Sequence, residues 1–212
     1  MRYRLRIVYI APLIVLACIF SFISGCATSL VPGLVDDLNA ESPCCSDYSE
    51  FDYAAMSTDK ELKFSIGPGD NSYLFPAGKS WYKSFGLPDS ANMFSLRVRT
   101  YLQGTTSSNI YVFVPVLTFL DESYAPIGKA MTPALYYDEG FVEGKRWTSN
   151  VEIPDGASYV VFHTDPNLIN ERIVLGPTES TGIVAIIESY QDRSAAVGPA
   201  GTLKTRFLPK VH

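Results

Sequence analysis

Short stretches of alternating apolar and polar residues, separated by turns, most constrain what this 212-residue chain can fold into. Residues 62–66 and 94–99 both place an apolar side chain at every second position. A period of two is typical of a strand with one buried face. Glycine and proline clusters at residues 67–71 and 76–78 are typical of tight turns. The pattern therefore predicts many short strands joined by turns.

The longest apolar run, residues 110–120, is rich in β-branched and aromatic side chains and predicts a central strand covered on both faces. Helical periodicity is almost absent, and one short helix is predicted at residues 165–172, with Asp165 as its cap and Pro166 at its first position. About ten strands indicate an all-β fold, an antiparallel β-sandwich of jelly-roll type, with a split barrel as the alternative. Further strands are predicted at residues 130–137, 146–153, 158–163, 182–190 and 202–207.

The start of the chain has the layout of a bacterial lipoprotein signal. Three arginines within residues 1–6 precede an apolar run over residues 7–23, and two small residues then lead to Cys26. Residues 1–25 are therefore predicted to be a lipoprotein signal peptide that is removed. The thiol of Cys26 is predicted to carry the diacylglycerol that anchors the mature protein to a membrane.

An uncleaved transmembrane helix is the alternative for this segment, because the apolar run is about as long as a span requires. Pro12 interrupts the run, and no cluster of lysine or arginine follows it, so the lipoprotein signal is favoured. Ala27 stands where inner-membrane lipoproteins of Gram-negative bacteria usually have Asp. This favours sorting to the periplasmic face of the outer membrane.

Two further segments complete the predicted organisation. Residues 26–60 combine proline, glycine and polar clusters without a sustained period, and they are predicted to form a tether from the lipidated cysteine. Residues 61–212 are predicted to form the sandwich domain. Aromatic side chains near the end of the tether, Tyr48, Phe51 and Tyr53, are where the tether is expected to dock on the domain.

Cys44 and Cys45 are the cysteines that remain once Cys18 leaves with the signal and Cys26 is lipidated. In an oxidising compartment they can bond to each other, pair between molecules or stay reduced. Adjacent Cα atoms are about 3.8 Å apart, which is shorter than the roughly 4.4–6.8 Å that a relaxed disulfide prefers. The sequence leaves the three states open. No metal site is predicted, because the chain has only two histidines.

Charge limits the partners that the chain can bind. The net charge of −5 becomes −8 when residues 1–25, with three arginines and no acid, are removed. An acidic surface argues against nucleic acid and against anionic lipid head groups as partners. The membrane contact is then expected to be the acyl chains of the N-terminal lipid.

Catalytic residues are not predicted, and neither is a cofactor. His163 ends an apolar strand without a nucleophile motif, so it is interpreted as a strand-end residue hydrogen-bonded to a loop rather than a general base. Glycoside hydrolysis needs two acids facing one sugar bond at about 5–10 Å. The pairs Asp121-Glu122 and Asp138-Glu139 lie beside turns, and neighbouring strand residues point to opposite faces. The chain is therefore predicted not to be an enzyme.

Aromatic side chains are the candidate ligand contacts, because their faces stack on sugar rings while nearby acids and amides bind hydroxyl groups. Gly140 and Gly144 bracket a predicted hairpin or longer loop, which should expose the aromatic residues beside it. The candidates are Trp81, Tyr82, Tyr136, Tyr137, Phe141 and Trp147.

Several segments occur in an order and spacing that resembles the maltose-operon periplasmic protein family. They are residues 44–46 with Tyr48 and Phe51, residues 78–88, residues 113–122, residues 160–168 and residues 201–204. The resemblance implies an exported, non-catalytic protein associated with carbohydrate uptake, and it carries over no catalytic residue. Residues 176–199 depart from the family, because they include the apolar run 183–187 in place of an alanine- and proline-rich stretch.

Two functions are consistent with these features. The first is a lipid-anchored periplasmic accessory or binding protein associated with maltodextrin uptake. The second is a structural or assembly lipoprotein whose sandwich face or edge strand engages a protein of the cell envelope.

Overall fold

The computed structural model describes residues 30–104, 109–128, 136–140, 144–174 and 194–210, and this part of the chain is mostly β with one α-helix. The all-β prediction is confirmed at that level. Single turns of 3-10 helix lie at Tyr48–Glu50, Ala91–Met93 and Pro166–Leu168. The elements are α1 (Leu30–Ala40), β1 (Tyr53–Ala55), β2 (Leu62–Ile66), β3 (Ser72–Phe75), β4 (Gly78–Trp81), β5 (Lys83–Gly86), β6 (Phe94–Gln103), β7 (Tyr111–Phe113), β8 (Val116–Leu120), β9 (Tyr136–Gly140), β10 (Gly144–Glu152), β11 (Tyr159–His163), β12 (Arg172–Val174), β13 (Ser194–Gly198) and β14 (Gly201–Pro209).

Two sheets dominate the architecture. The small sheet has the strand order β1-β5-β11-β8. The large sheet runs β2-β14-β6-β10-β9, and β7, β13 and β12 extend it from the far end of β6. Strands β3 and β4 form a separate hairpin. The pairs β1–β5 and β13–β7 are parallel, so the fully antiparallel prediction is wrong at these two places.

One hydrophobic core lies between the two sheets. The large sheet contributes Leu96, Val98 and Leu203, which are fully buried, and the small sheet contributes residues such as Leu117 and Phe162. In β6 the buried residues alternate with half-exposed polar ones along the strand. The predicted period of two therefore arises because one face of the strand packs on the core.

The apolar run at residues 110–120 forms two strands instead of the single central strand that was predicted. β7 belongs to the large sheet and β8 to the small sheet, and the chain crosses between them at Val114 and Pro115. Proline has no N–H to donate to a ladder, which favours a break at this position. Every residue from Tyr111 to Leu120 is buried, as the composition of the run predicted.

The predicted tether differs most from the structure. Helix α1 lies within it and packs on the domain, with Val31 and Leu38 only 2% and 3% exposed. Pro32 and Gly33 suggested a loop, but proline is tolerated in the first turn of a helix, where N–H groups have no helical partner. Residues 30–55 are thus part of the folded body.

Polar contacts hold the end of α1 against the β3–β4 hairpin. Lys79 Nζ donates to the carbonyl oxygens of Asn39 and Glu41 at 2.9 and 2.7 Å. A cation at the carboxyl end of a helix donates hydrogen bonds to carbonyl groups that have no helical partner. It also interacts favourably with the negative end of the helix dipole. Trp81 Nε1 donates to Glu41 Oε2 at 2.6 Å, so a second residue of β4 contacts the chain just after the helix.

The short helix predicted at residues 165–172 is a single 3-10 turn, Pro166–Leu168. Its cap is as predicted: Asp165 Oδ1 accepts from the backbone N–H of Asn167 at 2.9 Å. The signal peptide, Cys26 and the strand predicted at 182–190 lie outside the described residues. Among the described residues, no helix has the length and apolar character needed to cross a membrane.

Candidate functional site

Three of the aromatic residues predicted as ligand contacts lie in the interior. Trp81, Tyr82 and Trp147 are 0%, 3% and 2% exposed. Trp81 belongs to the core between the sheets, whereas Tyr82 stacks on Phe51 with ring centroids 4.0 Å apart. Protein atoms therefore occupy the surfaces that a sugar would need, and these three predictions are wrong. Large aromatic side chains provide much of the buried area of a small domain, which explains their position.

The other three candidates lie on or beside the β9–β10 hairpin. Strand β9 begins at Tyr136, and Tyr137 is the register partner of Trp147 in β10. Gly140 pairs with Gly144, so the hairpin forms where the two glycines predicted it. The side chains of Tyr136 and Tyr137, and the whole of Phe141, lie outside the described residues.

A groove of about 990 Å³ lies at one end of the small sheet, where β5 and β8 end and β11 begins. Its volume is at the upper end of the range of small-molecule sites. The lining residues come from three loops and the adjoining strand ends: Gly86, Leu87, Pro88, Asp89, Asn92, Asp121, Glu122, Ser123, Gly156, Ala157, Ser158 and Tyr159.

Backbone hydrogen bonds join the three loops around the groove. The N–H of Leu87 donates to the carbonyl of Ser158 at 2.8 Å, and the N–H of Ser158 donates to Leu120 at 2.8 Å. The 3-10 turn at Ala91–Met93 carries Asn92 outward while Ala91, 1% exposed, packs inward. The polar side chains thus project from a fixed frame.

Asp121 organises the loop after β8. Its Oδ1 accepts from the N–H of Ser123 at 2.8 Å, the hydroxyl of Ser123 at 2.7 Å and the N–H of Ala125 at 3.0 Å. These bonds, led by the Ser123 hydroxyl, lower the pKa of Asp121, so the carboxylate is ionised at neutral pH. The same loop presents Glu122 to the groove.

Tyr159 lines the groove next to β11, and two further tyrosine rings pack on it. The rings of Tyr159 and Tyr124 stack with centroids 4.7 Å apart, and Tyr53 approaches Tyr159 at 4.5 Å. Tyr159 donates a hydrogen bond to the hydroxyl of Tyr124 at 3.4 Å, which raises the pKa of Tyr159. Its phenol is therefore neutral at physiological pH. All three rings are half-buried.

The groove combines carboxylates, an amide and an aromatic ring. Asp89, Asp121 and Glu122 supply acceptors, Asn92 supplies both donors and acceptors, and Tyr159 supplies apolar surface. This combination suits a neutral ligand with many hydroxyl groups. No group of three potential metal ligands is found among the residues that the structure describes.

An aromatic row connects this groove with the two adjacent cysteines. Rings contact each other in the order Tyr82, Phe51, Tyr53 and Tyr159. At its far end, Cys44 Sγ lies 3.1 Å from the hydroxyl of Tyr82. Of the three states that the sequence left open, the structure has Cys44 bonded to Cys45, with Cα atoms 3.7 Å apart.

His163 is a buried neutral side chain at the end of β11. A carbonyl oxygen only accepts, so Nδ1 donates to Thr164 O at 3.1 Å, and Nε2 accepts from the Thr118 hydroxyl at 3.0 Å. The ring stacks on Phe75 at 3.7 Å. Burial lowers the pKa of His163 to about 4. Both nitrogens are thus occupied, one of them by the loop that the sequence predicted.

Comparison with protein-family models, with curated proteins and with solved structures finds no match to this chain. The resemblance to the maltose-operon periplasmic protein family therefore stays a prediction.

Asp89, Asn92 and Tyr159 were not among the predicted ligand contacts. Each lies near a strand end, but only the pairing of β11 between β5 and β8 brings their loops to one place. A polar residue directly after an apolar strand, as Asp121 is after β8, is the available sequence signal. Such a residue shows where a loop begins, but it does not show which other loops lie beside that loop in the fold.

Proposed function

We propose that the protein is a non-catalytic, lipid-anchored accessory protein of carbohydrate uptake that binds a glucan of the maltodextrin type in the groove at the end of the small sheet. The observation that supports it best is the placement of Asp89, Asp121, Glu122 and Asn92 beside the ring of Tyr159. The partners are the membrane, through the lipid on Cys26, and the sugar. Its place is the periplasmic face of the outer membrane.

Binding would use two properties of the groove. Ionised carboxylates accept hydrogen bonds from sugar hydroxyls, and such charge-assisted bonds are stronger than neutral ones. The apolar face of a sugar ring can lie against the ring of Tyr159, which buries apolar surface without desolvating polar groups. The loops are joined through their backbones, so little ordering would accompany binding.

Calorimetric titration of the protein with maltoheptaose tests this function. Intrinsic tryptophan fluorescence is a poor reporter, because both tryptophans are buried away from the groove. We expect measurable affinity in the wild type and about five-fold weaker binding in Glu122→Gln, which keeps the shape of the side chain and removes its charge.

Glu171→Gln is the matched control, since Glu171 is also exposed and does not line the groove. It should bind as the wild type does. No heat at millimolar maltoheptaose, or equal weakening in both variants, would contradict sugar binding at this groove.

The anchor is tested separately with Cys26→Ser in the full chain. We expect loss of signal cleavage and of the lipid, measured by mass spectrometry of the membrane fraction. Unchanged processing would contradict the anchor and leave the sugar proposal standing.

For the fold we propose jelly-roll connectivity, supported by a chain that crosses repeatedly between two facing sheets.

A further inference from the structure

The outward side of the large sheet carries an unusual concentration of positive charge. Side chains that alternate with the core residues of β2, β6, β10 and β14 point away from the core. Six of the twelve lysines and arginines in the described residues occupy these positions. We name this surface the basic face, and its cations are Lys63, Arg97, Arg99, Arg146, Lys204 and Arg206.

The strand register places these cations beside one another. Lys204 is the partner of Arg99 on one side and of Lys63 on the other, and Arg206 is the partner of Arg97. Like charges directly opposite each other destabilise a sheet. Their concentration on one side of an acidic protein is therefore not explained by the folding of the sheet.

Acidic side chains compensate this charge only in part. Glu61 lies 3.1 Å from Arg99 Nη1 and 3.3 Å from Lys204 Nζ. Lys63 and Arg206 have no ion-pair partner in the described part of the chain, and Arg97 donates to the neutral Asn150 side chain at 3.2 Å. Glu152 is a further outward acid of β10, and it pairs with Lys210 at 3.4 Å. Lys63, Arg97 and Arg206 therefore give the basic face a net positive charge.

The remainder of the basic face indicates the kind of partner. Its other outward residues are mainly polar, among them Ser65, Thr148, Asn150 and Thr202. A protein interface usually has an apolar centre, which these residues do not supply. The cations also spread over four neighbouring strands instead of following a groove, so they match a planar array of anions better than a single extended polymer.

The first helix of the described chain lies near one end of this face. Leu34 of α1 lines a recess of about 380 Å³ together with Ser65 and Thr202, which are two residues from Lys63 and Lys204. Cys26 precedes the start of α1 by four residues, which span at most about 14 Å. One helical turn of about 5.4 Å then leads to Leu34. The acyl chains would therefore lie within about 20 Å of the edge of the basic face.

We propose that the basic face rests on the anionic phosphate head groups of the membrane that holds the anchor, an inference that depends on the proposed lipidation for its geometry. Basic residues near an anionic surface strengthen membrane binding by about five-fold each. In this orientation the small sheet, with the groove and the aromatic row, is on the side of the core away from the bilayer.

The test uses the processed chain, residues 26–212, with Cys26→Ser, so that no acyl chain contributes. Co-sedimentation is measured with vesicles of phosphatidylglycerol and phosphatidylethanolamine, and with vesicles of phosphatidylcholine. We expect binding to the anionic vesicles only, decreasing as salt is raised. Lys63→Gln with Arg206→Gln should weaken it by at least about ten-fold.

Lys83→Gln with Arg172→Gln is the matched control, because it removes the same charge elsewhere and should bind as the parent does. Equal binding to both vesicle types, or no loss in the basic-face variant, would overturn the proposal. Binding to soluble dextran sulfate without binding to anionic vesicles would also overturn it, in favour of an anionic polymer. Melting temperatures check that both double variants are folded. Lipidation itself is tested independently, by the processing of the full chain.

Discussion

The outward sides of the two sheets differ in what covers them. The small sheet is covered by the N-terminal segment, whose Phe51 and Tyr48 pack with Phe75 and Tyr82 into a second apolar cluster. The large sheet presents the basic face, where cations stand opposite each other with partial compensation. One side of the molecule therefore stabilises the fold, and the other leaves charge available for a partner.

The comparison also shows why net charge is a poor guide to partners here. The value of −5 averages acids that cluster on the N-terminal segment and around the groove with cations on the basic face. An average of this kind argues against anionic surfaces, whereas the local field of the basic face favours them. The charge of each face, and not the net charge of the whole chain, therefore determines which partners are excluded.

Phe51→Ala should have the largest effect on stability, because it opens a cavity between the N-terminal segment and the small sheet. Phe51 is 6% exposed and stacks on Tyr82. Truncation of a buried phenylalanine costs about 3–5 kcal/mol, measured by urea unfolding. Tyr101→Ala on the basic face removes a half-buried ring and should cost less than half as much. Equal losses would mean that the two sides contribute alike.

Acid should destabilise the small-sheet side through His163. The unfolded imidazole titrates near 6.5 and the folded one at about 4, so the unfolded state binds more protons between these values. Stability is therefore full above the unfolded pKa and falls as pH is lowered toward the folded pKa. We expect a loss of about 2.5 kcal/mol between pH 7 and about pH 4.5.

His163→Gln provides the control for this acid sensitivity. It removes the titrating ring, so its unfolding free energy should change much less over the same pH range, whatever its value at pH 7. Asp165 is the nearby acid that opposes the lowered pKa. The lowered pKa values of Asp47 and Asp121 affect stability at lower pH, because the stability that these carboxylates contribute is lost only below their ordinary pKa of 3.8. The same slope in the variant would assign the effect to other groups.

Much of the strand pattern could be predicted from the sequence because the large sheet buries one face and its strands alternate. β2 and β6 lie where the period of two placed them, and β11 and β14 lie at two of the further predicted strands. The run at residues 110–120 could not be resolved, since an unbroken apolar run does not show which sheet each half joins. Helix α1 was missed because its proline and glycine lie near the start, where a helix tolerates them.

The candidate site and the basic face could not be predicted for a different reason. Alternation shows that Arg97 and Arg99 point outward, but only strand pairing brings Lys63, Lys204 and Arg206 beside them. The groove likewise depends on β11 lying between β5 and β8. The local sequence pattern determines which way a side chain points, and the pairing of strands in the sheet determines its neighbours.

Loss of the Cys44–Cys45 bond should affect the aromatic side only slightly. A disulfide stabilises mainly by restricting the unfolded chain, and this one closes the shortest loop possible. Cys44→Ser with Cys45→Ser should therefore lower the unfolding free energy by about 1 kcal/mol, less than the about 2–4 kcal/mol of longer loops. A loss as large as that of Phe51→Ala would show that the bond holds the N-terminal segment in place.

Lys63→Glu should have the smallest effect and the opposite sign. The new carboxylate would stand opposite Lys204, replacing a cross-strand repulsion with an attraction worth about 0.5 kcal/mol. Urea unfolding should show a gain of that size, while binding to anionic vesicles weakens. Lys60→Glu, in the turn before β2, lacks a cross-strand cation and should change stability less. A gain in stability together with a loss of binding would mean that the basic face keeps its repulsion for a partner, whereas a loss of both would make Lys63 a structural residue like those of the small-sheet side.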